Sequence, residues 1–131
     1  MHTGGCLCGA LRYAADSDPV DTGYCHCRLC QKSTGAPLLA WASFAVEDFR
    51  YTAGQPTVYP SSDWGQREFC AACGTHLTTL SPNLPTGVYV KVGTMDDPAL
   101  FGVPEIAIQT AEARAFHHVP DGAKAFERWV K

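Results

Sequence analysis

Hydrophobic and polar residues alternate most cleanly over Val88-Tyr89-Val90-Lys91-Val92, a pattern that predicts a strand ending at Gly93. The most apolar stretch, residues 36–44 (APLLAWASF), has the length of a buried strand. Residues 6–13, entered through Gly4-Gly5, and residues 20–24, 46–51, 57–59 and 75–80 read as further strand pieces, with 106–108 as an edge strand. Turns are predicted at Asp16-Ser17-Asp18-Pro19 and Gly54-Gln55-Pro56, a loop over 61–65, and a break at Pro82-Asn83-Leu84-Pro85. Helical character is confined to a turn over 31–35 closed by Gly35, a turn opened by Asp96-Asp97-Pro98, and a short C-terminal helix after Asp121-Gly122. That last helix would place Phe126, Trp129 and Val130 on one side. The expected fold is mainly β, with short helical turns and a short C-terminal helix, in a single domain over residues 1–131.

Composition sharpens this. Twelve glycines and nine prolines in 131 residues favour short elements joined by tight turns. No apolar run reaches membrane-spanning length, and Met1-His2-Thr3-Gly4 lacks the apolar core of a signal peptide, so a cytoplasmic, reducing setting away from membranes is expected. The formal charge is −3, and seven thiolates holding two Zn²⁺ would bring it to −6. Proteins that bind nucleic acid carry a basic face, so nucleic acid is not an expected partner.

The cysteines change the picture most. All seven fall into three clusters: Cys6-Leu7-Cys8, Cys25-His26-Cys27-Arg28-Leu29-Cys30 and Cys70-Ala71-Ala72-Cys73. In a reducing compartment such clusters are metal ligands or redox groups rather than disulfides, and the odd count argues the same way. The two outer pairs supply four thiolates, which satisfy tetrahedral zinc and leave no position for chemistry. Joining an N-terminal pair to a mid-chain pair would tie distant segments together. Gly74, after the second cysteine of its pair, permits the left-handed backbone that such knuckles need.

The central cluster offers only three sulfurs: Cys25 and Cys27 on one side of an extended segment, and Cys30 brought back by a turn. A metal there needs a fourth ligand: water, an incoming thiol, His76 or an aspartate. His26 points to the opposite side and reads as a packing or hydrogen-bonding residue. Three thiolates make zinc a weak Lewis acid that can still deprotonate an arriving thiol, so thiol chemistry is expected rather than hydrolysis. Arg28 and Lys32 flank the cluster and Arg67 precedes the last pair. These cations can offset thiolate charge or receive a carboxylated substrate.

The successive motifs GGCLCGALRY, CHCRLCQKSTGAP, REFCAACGTHL and VKVGTMDDP, in order from Gly4 to about Pro98, resemble those of the glutathione-dependent formaldehyde-activating family, which also takes in centromere protein V. The resemblance implies a zinc-stabilised β-tent related to methionine sulfoxide reductase B. It implies two Zn²⁺ per chain, a structural one on Cys6, Cys8, Cys70 and Cys73 and a catalytic one on Cys25, Cys27 and Cys30. The implied activity is that of a carbon–sulfur lyase combining glutathione and formaldehyde into S-hydroxymethylglutathione. A small-molecule thiol is then the expected partner. Two other readings stand beside it: a non-catalytic module with both zincs structural, and a thiol redox enzyme, which requires a cysteine free of metal.

Overall fold

A computed structural model of the chain describes residues 1–129. Among these residues eleven strands form two sheets. The smaller has the order β1-β2-β5, with β1 His2–Gly5, β2 Arg12–Ala15 and β5 Phe49–Ala53, all antiparallel. The larger contains β3 Asp21–Cys25, β4 Leu39–Ala45, β6 Thr57–Ser62, β7 Gly65–Phe69, β8 His76–Ser81, β9 Leu84–Lys91, β10 Ile106–Ile108 and β11 Lys124–Ala125. Its order is β11-β10-β3-β4-β9-β8-β7-β6. One α-helix, α1 Arg28–Thr34, follows β3. The architecture is mainly β, as the alternation and turn content predict.

β4 explains the placement of everything else. Side chains on a strand alternate between faces, and β4 is apolar on both. Ala42 and Phe44 pack with Leu11, Tyr13, Ala15, Leu77, Val88 and Val90 into the core beneath the small sheet. Leu39 and Trp41 pack on the other face with Cys25, Cys27, Cys30 and Ile108. β9 splits the same way, with Val88 and Val90 in the first core and Tyr89 against the second. The apolar run of 36–44 thus has two cores to feed, each holding one set of cysteines. Gly23 of β3 is required here, because a Cβ would collide with the Trp41 ring and lie 2.8 Å from the Ile106 carbonyl.

Three expectations are corrected. Residues 6–13 are not one strand: β1 ends at Gly5, and Cys6 opens a turn closed by the Gly9 N–H donating to the Cys6 carbonyl (3.1 Å). Residues 106–108 form a strand but not an edge, for β10 lies between β3 and β11 and runs parallel to both. The C-terminal helix is absent among the described residues. Instead the Lys124 and Phe126 N–H groups donate to the Glu105 and Ala107 carbonyls (2.9 and 2.8 Å), drawing the segment into the sheet. Phe126 goes to the second core and Trp129 to the ring of Trp64; Val130, the third residue of the expected helical side, lies outside the described residues. Smaller adjustments follow the same logic: residues 46–48 form a 3-10 turn before β5, and β9 starts at Leu84 rather than Val88.

Candidate metal centres

The Sγ atoms of Cys6, Cys8, Cys70 and Cys73 all lie within 4.8 Å of one another. Cys6 and Cys8 stand 3.6 Å apart, and Cys8 and Cys70 3.8 Å. A zinc–sulfur length of about 2.3 Å sets a tetrahedral edge of about 3.8 Å, so the four thiols fit that ion. Each pair sits on a backbone knuckle. The Gly74 N–H donates to the Cys70 carbonyl (2.7 Å), and Gly74 takes the left-handed φ of 79° that its place after Cys73 demands. The Leu11 N–H donates to the Cys6 sulfur (3.2 Å) and lowers that thiol's pKa. The Thr75 hydroxyl (3.2 Å) and backbone hold Cys73 down to about 5. Cys8 is exposed and Cys73 half-buried, so water reaches this cluster.

Cys25, Cys27 and Cys30 also gather within 4.8 Å, and all three are buried. Strand β3 delivers Cys25 at its last residue. Cys27 is the N-cap of α1, its sulfur accepting the Cys30 N–H at 3.3 Å. One turn of helix therefore returns Cys30 to the pair; the helix starts three residues earlier than the sequence pattern suggests, and Gly35 closes it with φ 68°. The hydrogen bonds among the sulfurs, with burial added, push Cys25 upward; Cys30 is held down to about 3 against its own burial, because Cys25 and Cys27 donate to it. The three thiols could hold a cation, which would let all of them ionise together.

Two cations lie behind the sulfurs. Arg67 is buried, and its Nη2 is 3.9 Å from Cys30 Sγ. Its other groups donate to Ser61 (3.1 Å) and Ser33 (3.2 Å). Lys91, on the β9 face shared with Tyr89, is buried and donates to Thr79 and to the Tyr89 carbonyl. Desolvation pulls Lys91 down to about 7, and the charges of Lys91 and Arg67 lower Cys30. Arg67 thus faces the Cys30 sulfur from inside, and Lys32 lies exposed in the last turn of α1.

Among the described residues no histidine or carboxylate joins the three sulfurs. His76 Nε2 donates instead to the Thr78 carbonyl (3.0 Å), and burial depresses its pKa to about 3. His26 is fully buried, its ring Nδ1–H and backbone N–H both donating to the Ile108 carbonyl at 3.1 Å. It locks β3 to β10 and is not a ligand.

A cleft of about 300 Å³ opens beside Cys27. Arg28 and Leu29 from α1, Gln109 and Glu112 from the segment after β10, and Trp64 from the β6–β7 hairpin line it with Arg128 and Trp129. Of these only Cys27 and Arg28 stand out in the sequence as site residues. No motif marks Gln109, Glu112, Trp64, Arg128 or Trp129, which meet only when the C-terminal segment folds back.

With this geometry in view, the chain compares with known proteins as follows. The profile of the family described as glutathione-dependent formaldehyde-activating enzyme matches residues 1–112, past the Pro98 limit of the recognisable motifs. An uncharacterised lyase of Schizosaccharomyces pombe is 29% identical over 76 residues, 58% of this chain and 55% of that protein. The chain thus spans about half the length of that curated relative. A crystal structure of a Rhodobacter sphaeroides protein superposes with a TM-score of 0.59 at 21% identity, covering 72% of this chain and 87% of that one. That likeness concerns the fold.

Proposed function

The chain belongs to the glutathione-dependent formaldehyde-activating enzyme family, and on that premise we propose that it is a carbon–sulfur lyase joining a small thiol, glutathione foremost, to formaldehyde or a related aldehyde. The carrying observation is the cluster of three buried thiols, with no fourth protein ligand among the described residues, beside a cleft that reaches Cys27. Two Zn²⁺ per chain are part of this reading, one on Cys6, Cys8, Cys70 and Cys73 and one on Cys25, Cys27 and Cys30. Zinc bound to the three-cysteine set would supply a coordination position at which a thiol loses its proton.

The protein's own residues do the rest. Arg67 and Lys91 offset the charge of the three thiolates from the buried side. Arg28, at the cleft, offers its guanidinium to a substrate carboxylate. The cleft holds thiol and aldehyde together, which removes the entropic cost of their encounter. In the reaction the thiol sulfur forms a bond to the carbonyl carbon, the C=O π bond opens onto oxygen, and the thiol proton ends on that oxygen. The reverse releases both partners.

The alternatives have less support. A wholly structural pair of zincs predicts a fourth side chain at the central set, and neither His76 nor an aspartate is placed there. A redox enzyme needs a cysteine free of metal, and with all seven in the two clusters none is left unless the central set is metal-free. Seven free cysteines agree with a reducing cytoplasm as the place of action. Two-dimensional exchange NMR of glutathione and formaldehyde with zinc-loaded protein tests the proposal. Exchange into S-hydroxymethylglutathione should exceed the spontaneous rate; equality of the two rates refutes it.

A further inference from the structure

The part of the chain beyond the family match, residues 113–129, is not a passive tail. After Ala113 it leaves the sheet and returns along β10. The Lys124 and Phe126 N–H groups donate to the Glu105 and Ala107 carbonyls, just before and within β10, and the Thr110 N–H and hydroxyl both donate to the Phe126 carbonyl at 3.1 Å. The Gln109 N–H donates to the Arg128 carbonyl at 2.9 Å. Gln109 is the single non-glycine residue with positive φ (56°) among the described residues. Holding a glutamine there costs of order 1 kcal/mol or more, and such strain clusters at functional positions. The segment is laced down backbone to backbone, and its last described residues reach the rim beside Cys27.

What it brings there is a guanidinium and an indole. Trp129 meets Trp64 edge to face, ring centroids 5.5 Å apart and planes at 87°. Together they form an apolar wall, and Arg128 and Arg28 lie in the same cleft. Its one carboxylate, Glu112, accepts the Arg28 backbone N–H at 3.2 Å and so is already engaged at the start of α1. Among the described residues neither guanidinium of the cleft lies within ion-pair distance of a carboxylate, the Arg28 Nη1 donating only to Gln31 Oε1 (2.5 Å), whereas Arg12 and Arg50 each have a carboxylate partner. Arginine forks facing a partly walled cleft suit planar carboxylates bidentately. A carboxylate held by them would place the rest of a small molecule against Cys27.

We propose that residues 126–129 complete an anion-reading subsite next to the three-cysteine cluster, in which Arg128 with Arg28 binds the carboxylate of a small thiol while Trp64 and Trp129 cover its apolar stem. This rests on the proposed thiol chemistry for its placement. It assigns substrate selection to a segment outside the family match. The class it selects is thiols bearing at least one carboxylate, in preference to neutral thiols of the same size.

Calorimetric titration of the zinc-loaded full chain with glutathione and with glutathione diethyl ester tests it. The ester keeps the thiol and removes both carboxylates. Glutathione should bind about tenfold or more tightly than the ester, the scale of one charge-assisted hydrogen-bonded pair. Arg128→Gln should erase most of that preference, weakening glutathione about tenfold and the ester by less than about twofold. Arg50→Gln, far from the cleft and paired with Asp16, should change neither. Equal affinities in the unmodified protein, equal losses for both ligands in Arg128→Gln, or no binding of either overturn the subsite. The lyase assay separates the two ideas. Preference lost on Arg128→Gln without accelerated adduct exchange keeps the subsite and removes the lyase. Accelerated exchange without any preference does the reverse.

Discussion

The two cysteine clusters differ in a way that reverses a simple expectation. The four-thiol set, which would close around its ion, is the wetter one: Cys8 is exposed and Cys73 half-buried. The three-thiol set, which leaves a ligand position, has every sulfur buried. The difference lies in what neutralises the sulfurs. Around the four-thiol set the helpers are a backbone N–H and the Thr75 hydroxyl, with water nearby. Around the three-thiol set they are two buried cations, Arg67 and Lys91, whose own desolvation the sulfurs must offset. The four-thiol set leans on solvent, whereas the three-thiol set is buried beside two basic side chains, with a cleft on one side at Cys27.

The largest test of that contrast is ligand removal. Cys70→Ser should cost at least about 4 kcal/mol, because the outer site ties the β1–β2 turn to the β7–β8 turn. Cys27→Ala should cost about 1–2 kcal/mol, from a lost cap and a small cavity. It should retain one zinc per chain. Thermal unfolding with metal analysis reads both; similar losses would erase the distinction.

Next in size is the core beneath the small sheet. Phe44→Ala should cost about 3–5 kcal/mol, since the ring is fully buried. Urea unfolding measures it. The pocket at Cys27 draws on the other face of β4, so thiol affinity of the folded fraction should be unchanged.

Lys91→Met probes the cations. Metal binding requires the thiols to lose protons. With Lys91 gone, Cys30 loses one of the charges that hold it down. Zinc should then leave the three-cysteine set at a pH about 0.5–1 unit higher, with the four-cysteine set unaffected. Chelator competition across pH 4–8 distinguishes two release steps.

The smallest effect belongs to Asp96, which ties Arg12 and Thr3 near the outer knuckle. Arg12 first, then Thr3, holds its carboxyl down to about 2. A folded pKa below the unfolded value of about 3.9 means the stabilisation is present above pH 4 and lost as pH falls toward 2. The pair is nearly half exposed, so it contributes under about 1 kcal/mol. Asp96→Asn should flatten the stability curve between pH 4 and 2 by that amount in acid titrations followed by circular dichroism.

Local pattern reached far into this fold. The alternation from Val88 to Lys91, the apolar run before Phe44 and the turn glycines became structure, though Val92 passes into a 3-10 turn instead of ending the strand. It failed where the decisive partners were backbone groups. The spacing of Phe126, Trp129 and Val130 reads as a helical side, yet the Glu105 and Ala107 carbonyls draw Lys124 and Phe126 into a parallel pairing with β10. Side-chain periodicity carries no trace of that competition. Arg67 was legible as a cation near a knuckle, but its burial against Cys30 required β7 to be brought beside α1.

By itself the sequence determined the two candidate ligand sets, because thiols two or three residues apart can hardly avoid one another and their count divides in one sensible way. It also determined a strand-rich chain, through alternation and punctuation that act over a few residues. Only the tertiary structure decided which set sits among buried cations, which opens on a cleft, and which residues line it. Those choices join Cys30 to Arg67, Gln109 to Arg128 and Trp64 to Trp129. Such pairs are far apart in the chain and carry no spacing signal. They exist because the two faces of β4 and the unpaired edge of β10 had to be covered.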